Sequence, residues 1–222
     1  MRAAFHGLPG GTRILDAACG IGLDAVALRR RGFRVTAVDA SPAMVDESRR
    51  RLAAAGVDVV VEICSWTDLP TRFPADSFDA VLCTGNSIAH VRSETEMVEV
   101  FRAFAGVLAP GGLLILDTHH WELLGRIGER TIVDPVVVER GGARCERSYR
   151  WVRVASKPGL WRLGLVLEIA DRDGRRTRTL TVDMIPFSTG ELRDRLRSAG
   201  FTHISIDAAA DDDRYTAIGR RS

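Results

Sequence analysis

Lysine is nearly absent from this 222-residue chain: Lys157 is the only one among 31 basic residues, and the rest are arginine. That bias reflects a GC-rich, bacterial genome and assigns no chemistry. Against 29 acidic residues the formal net charge is +2, and no stretch gathers the positive sign into a long patch. A protein that tracks a phosphate backbone needs such a patch, so no nucleic-acid partner is expected. Cysteine is scarce and scattered. Cys19, Cys64, Cys83 and Cys145 form no C-x-x-C pair and no histidine stands at zinc-ligand spacing, which argues against disulfides and a structural metal. Long apolar runs are missing too: none approaches the roughly 18 residues of a membrane span. The opening MRAAFHGLPGG has no apolar signal-peptide core. A cytoplasmic protein without a membrane partner is the expectation.

What is present is the ordinary makeup of a folded domain, with 45% hydrophobic and 27% charged residues. The length suits one generous domain over residues 1–222 better than two cramped ones. Strand and helix signals alternate through the first half: strands at 13–18, 33–39, 57–63, 78–83 and 113–117, with helices at Leu23–Arg31, Pro42–Ala55 and Ser93–Leu108. Ser93-x-x-Glu96 reads as a capping box, and Pro110-Gly111-Gly112 as a turn. Short, continuously apolar strands between helices predict an α/β, Rossmann-like doubly wound sheet of about seven strands, mostly parallel. The runs IVDPVVVE, RCERSYRWVRV, WRLGLVLEIA and TRTLTVDM then predict a small antiparallel sheet inserted after strand 5. The domain accordingly divides into a cofactor-binding half (1–130), an inserted substrate or lid region (131–186) and a closing helix and strands (187–222).

Open parallel sheets bind ligands beyond the carboxyl ends of their strands, where strand order reverses. The first strand ends in Asp16-Ala17-Ala18-Cys19-Gly20-Ile21-Gly22-Leu23-Asp24-Ala25, and Gly20-x-Gly22-x-x-Ala25 fits the dinucleotide fingerprint. Asp16 changes that reading. A pyrophosphate held by this loop would face a carboxylate at short range, whereas a ligand with an ammonium and a sulfonium would be attracted. S-adenosylmethionine carries both charges and no phosphate. Asp39 closes the second strand, where a carboxylate accepts both ribose hydroxyls, or caps the helix that starts at Ser41-Pro42. Met44, one turn into that helix, lies against adenine or in the core.

With these residues the chain resembles the class I S-adenosylmethionine-dependent methyltransferases, and more narrowly the glycine N-methyltransferase and glycine/sarcosine methyltransferase group. The segments are ILDAACGIGLDA, VTAVDASPAM, Trp66, FDAVLCTGNSIAH and APGGLLILD, in order over residues 13–117. The resemblance implies Asp39 on the ribose and Cys64, Ser65 and Trp66 at the adenine end, with Ala18, Ala40 and Thr84 among the cofactor-binding positions. It implies that Gly85 and Asn86 face the acceptor amine and the methyl donor, their carbonyl and amide oxygens accepting its N–H. It implies helices covering the cofactor ahead of the first strand, where this chain has only fifteen residues before Asp16: a truncation or an open site.

Two departures bear on the acceptor. The family's arginine after strand 5 is replaced by Asp117-Thr118-His119-His120-Trp121, and its tyrosine pair by Met184-Ile185, so glycine is not the expected acceptor. His119 is a candidate for the acceptor's polar end; His90 either faces the site or bonds a nearby carbonyl. N-methylation of a small amine or amino acid is the expectation, with no metal and no essential base. O-methylation of a metabolite or sugar would need a base such as His90, His119 or His120. A non-catalytic nucleoside-binding protein is the reading of a different class.

Overall fold

The computed structural model describes residues 8–209 and 211–222; the stretch read for the lack of a signal-peptide core lies largely outside them. Five parallel strands form the centre: β1 (Arg13–Asp16), β2 (Arg34–Asp39), β3 (Val60–Ile63), β4 (Phe78–Cys83) and β5 (Leu108–His119). They lie in the order β5-β4-β1-β2-β3, so strand order reverses between β1 and β4. β12 (Arg214–Arg221) joins β5 antiparallel and β11 (Phe201–Asp207) joins β12, giving seven strands. Alternate residues feed the two faces, as the two-residue period of a strand requires. Ile14, Ala80 and Ile115 pack under α1 (Leu23–Arg30) and α2 (Pro42–Ala55), while Leu15, Val81, Leu114 and Leu116 pack with α4 (Glu94–Val107) and α6 (Thr189–Ser198).

Local chemistry explains where the helices begin and end. Ser41 accepts the Met44 amide, Pro42 stands in the first turn, and Gly56 closes α2 with φ +63°. At α4 the expected capping box is only half made. Ser93 Oγ accepts the Glu96 amide, but the Glu96 carboxylate turns to the Arg92 amide and guanidinium. The complete box is at Ser188 and Glu191, ahead of α6, where it was not foreseen. Two further helices carry no strong sequence signal: α3 (Leu69–Arg72) and α5 (Trp121–Ile127).

β5 begins at Leu108, so Pro110-Gly111-Gly112 lies inside the strand and not in a turn. It forms an irregularity: the β4–β5 register shifts between Phe78 and Ala80, and a Cβ on Gly112 would stand 2.8 Å from the Ala109 carbonyl. The insertion is a five-stranded antiparallel sheet. β6 (Arg130–Val133) and β7 (Val138–Arg140) both pair with β8 (Ala143–Arg153), followed by β9 (Trp161–Asp171) and β10 (Gly174–Met184). The run IVDPVVVE is thus two strands, broken around Pro135, which offers no N–H to a ladder. Trp151, Trp161 and Met184 belong to the main core and anchor this sheet to it. No helix among the described residues is long and apolar enough to cross a membrane.

Candidate active site

The carboxyl ends of β1, β2, β3 and β4 open onto one cleft of about 300 Å³. Ala18, Asp39, Ala40, Cys64, Ser65, Trp66 and His90, all singled out from sequence, line it together. Asp39 is fixed there by two backbone donors: the Gly20 amide reaches Oδ2 and the Ser41 amide Oδ1, each at 2.9 Å. The carboxylate therefore ties the glycine loop to the start of α2, while its remaining lone pairs stay available for hydroxyl donors. The Trp66 indole N–H donates to the Ala17 carbonyl at 2.6 Å and its ring meets Phe104 edge-on, so this wall of the cleft is rigid. Ala17, Thr67, Ser87, Glu96 and Val100 complete the lining; the sequence did not mark them as site residues.

The two glycines of the loop differ. Gly22 is the N-cap of α1 with φ +80°, and a Cβ there would meet Ser48 Oγ at 2.5 Å, so it lets α1 and α2 close together. Gly20 has φ +50° and an added Cβ would meet nothing within 4 Å. Gly20 thus leaves space at the loop for a ligand. Asp16, which ends β1, is 0% exposed, and neither of its oxygens has a hydrogen-bond partner of good geometry. Burial first, then the Asp24 charge, pushes its carboxyl up to about 8, against the weaker pull of the Ala18 amide. Met44 is solvent-exposed at the first turn of α2 and not part of the cleft lining. Thr84 donates its hydroxyl to Asp24 at 2.9 Å.

Beyond β4 the chain takes left-handed geometry at Gly85 and Asn86, with φ +70° and +66°. The Gly85 amide donates to Asp117 Oδ1 at 3.2 Å. Asn86 is 2% exposed, and its amide oxygen already accepts the Thr118 hydroxyl at 2.8 Å and the His119 amide at 3.1 Å. Its Nδ2 donates to Met184 Sδ at 3.1 Å. The expectation that this oxygen receives the acceptor's N–H is therefore corrected: the side chain binds the ends of β5 and β10 together. Gly85 is the exposed member of the pair.

His119 lies between the main sheet and the insertion. Its ring meets Trp151 edge-on at 4.8 Å and Trp121 at 5.9 Å. Arg214 Nη1 donates toward His119 Nε2 at 3.4 Å, and the same guanidinium forms an ion pair with Asp117. Burial, followed by that positive charge, lowers the His119 ring to about 4. His90 keeps an exposed face, yet the protein around its ring lowers its pKa as well. An arginine does stand beside the end of strand 5, as in the resembling family, but it comes from β12, 95 residues after His119, and sequence inspection missed it.

Residues 14–112 match the model of a methyltransferase domain family. Among curated proteins, glycine N-methyltransferase of Rattus norvegicus is 38% identical over 122 residues, which is 50% of this chain and 42% of that protein. The ubiquinone biosynthesis O-methyltransferase of Xanthomonas axonopodis pv. citri is 40% identical over 110 residues, covering 50% of this chain and 44% of that one. The match thus spans less than half the length of either relative. The sugar N-methyltransferase KedS8 from Streptoalloteichus superposes over 99% of this chain and 84% of its own, with TM-score 0.78 and 27% identity. The S-adenosylmethionine-bound amino pentose methyltransferase CalS10 from Micromonospora echinaspora covers 100% and 88%, with TM-score 0.79 and 24% identity, a likeness of fold.

Proposed function

We propose that this chain, whose residues 14–112 match a methyltransferase domain family, is an S-adenosylmethionine-dependent enzyme that methylates the nitrogen of a small amine-bearing molecule. The donor fits the residues present. Asp39 offers a fixed carboxylate for the ribose, Cys64, Ser65 and Trp66 form the wall for the base, and Gly20 leaves the loop open. Asp16, buried and unpartnered, is suited to a cation and unsuited to a pyrophosphate. When bound, the donor supplies an electrophilic methyl group; the protein's task is alignment, which is worth roughly 7–11 kcal/mol when good.

What favours nitrogen over oxygen is the state of the histidines. A hydroxyl acceptor needs a base near neutrality. The His119 ring, lowered to about 4 with Nε2 facing Arg214, is a poor proton acceptor, and His120 Nδ1 is engaged with the Asp212 carbonyl. The O-methyl alternative would have to rely on His90, whose ring is also lowered by the protein around it. An amine already deprotonated by solvent needs no such group. The exposed Gly85 loop and the partly exposed His119 ring are the elements we assign to the acceptor, His119 contributing ring surface rather than proton transfer, with the buried Trp121 and Trp151 packed behind it. The test is incubation of the protein with labelled S-adenosylmethionine and matched pairs of amines and alcohols, amino sugars and neutral sugars among them. Transfer to amines alone supports the reading. Transfer to the alcohol of a pair replaces it with the O-methyl alternative, and no transfer alongside tight donor binding points to a nucleoside-binding protein.

A further inference from the structure

The inserted sheet has one polar face and one apolar face, and the apolar face is only half covered. Residues directly opposite in an antiparallel ladder share a face, so the β8–β9–β10 register sorts the side chains. One face is mostly polar, with Arg150 and Thr181, Ser148 and Thr179, and Glu146 and Glu168. The other carries Trp151, Leu163 and Val182 on one rung, Tyr149, Leu165 and Leu180 on the next, and Leu167 and Ile169 farther out. β6 adds Ile132 opposite Tyr149. At its inner end this face is packed: Trp151 belongs to the main core, and Leu163 and Val182 lie against it. Farther out, Tyr149, Leu165, Leu167 and Ile169 are half-buried and belong to neither core cluster, while Ile132 and Leu180 are 41% and 61% exposed. Of the arginines on this face, Arg147 pairs with Asp134 and Arg176 with Asp171; Arg130 and Arg178 stand at its margins, on β6 and β10.

Position and size together indicate the occupant of the outer strip. The apolar face starts at the acceptor end of the site: Trp151 meets the His119 ring at 4.8 Å, and Met184, on the same face, accepts the Asn86 amide through Sδ. Tyr149 lies two residues outward from Trp151, about 7 Å along the strand. Three rungs on four strands amount to roughly 300–400 Å², at most half of the about 800 Å² that each partner contributes to a standard protein–protein interface. Resting on the N-methylation reading, we infer that the strip from Tyr149 through Leu165 to Leu167 seats the apolar body of the acceptor. The substrate class is then an amine on an extended alkyl or aryl body, its nitrogen at the Gly85 turn and its body leaving past the His119 ring along β8 and β9. Each methylene laid on the strip should raise kcat/KM about two- to fourfold, the upper figure corresponding to complete burial.

The test is methyl transfer from labelled S-adenosylmethionine to primary n-alkylamines, propyl to octyl, on the full chain. The expected result is a kcat/KM that climbs about two- to fourfold per methylene, mostly through a falling KM, until the alkyl chain outruns the strip. Leu165→Gln combined with Leu167→Gln should flatten that climb. Neither residue lines the donor cleft, so transfer to propylamine and the KM for the donor should stay within about twofold. A thermal melt checks the fold; if the double variant does not fold, Leu165→Ala should cost octylamine about two- to fourfold more than propylamine. Equal kcat/KM along the series, or a climb that the substitutions leave intact, overturns the inference and leaves N-methylation standing. A dimer in sedimentation velocity that the double variant dissociates gives the strip to a second copy and overturns it as well. Transfer to amino sugars but to no alkylamine overturns the inference alone; transfer to no amine of either kind overturns both readings.

Discussion

The donor side and the acceptor side of this cleft are built by different means. On the donor side each residue follows a strand directly: Asp16 ends β1, Asp39 ends β2, and Cys64 comes one position after β3. Their partners are mostly backbone amides and carbonyls, as in Asp39 with Gly20 and Ser41 or Trp66 with Ala17. On the acceptor side, Asn86, Thr118, His119, Trp151, Met184 and Arg214 come from five separate strands or strand ends and hold one another largely by side chains. A site made of loops survives the loss of one side chain if the loop keeps its path. A site made of interlocked side chains does not.

Asn86→Ala is the largest predicted break. It leaves the buried Thr118 hydroxyl and the His119 amide without their acceptor. With a cost of about 1–3 kcal/mol for each of the two stranded groups, stability should fall by roughly 2–6 kcal/mol. Urea denaturation measures it. Donor affinity should change little in the folded fraction, since Asn86 is not part of the cleft lining. A variant with unchanged stability and a lost donor would dissolve the distinction between the two sides.

Gly22→Ala and Gly20→Ala sharpen the same comparison within the donor side. At Gly22 the new Cβ would meet Ser48 Oγ at 2.5 Å and Ser48 Cα at 3.3 Å, and its backbone stands at φ +80°. Overpacking and left-handed strain together should cost about 2–4 kcal/mol of stability. At Gly20 there is only the backbone term, about 1–2 kcal/mol, but the methyl enters open space beside the cleft. Thermal melts should therefore rank Gly22→Ala as the less stable protein. Calorimetry should show Gly20→Ala losing donor affinity beyond what its melt explains.

The same contrast accounts for what the sequence disclosed. Asp16, Gly20, Gly22 and Asp39 are legible because strand, loop and helix cap lie within a few dozen consecutive residues and each has a local physical requirement. The alternation of β-strand and helix signals foretold the sheet for the same reason. Arg214 was not legible: nothing near it in the chain marks it, and only the antiparallel pairing of β12 with β5 sets it opposite His119. The resemblance set Asn86 facing the acceptor, and the burial of its amide was not legible because it depends on Thr118 and Met184, 32 and 98 residues away. The half-made box at Ser93 failed similarly, since Arg92 offers Glu96 a charged partner in place of the N-cap amide.

The smallest predicted effect concerns the two causes behind the neutral His119. Burial comes first and the Arg214 charge second. Because the folded value of about 4 lies below that of an exposed histidine, the unfolded chain binds more protons between about pH 4 and 6.5, and His119 contributes stability that is lost as pH falls through that window. Arg214→Gln removes the guanidinium and frees Asp117, both of which favour the charged ring, so the ring should titrate at a higher pH than before. The tryptophans and the remaining burial are untouched, so it should still fall short of 6.5. Proton NMR of the imidazole across pH 3–8 reads the value directly, at a protein concentration that leaves the cleft free of donor. A return all the way to 6.5 would make charge, not burial, the first cause, and would remove the reason for denying His119 a role as base.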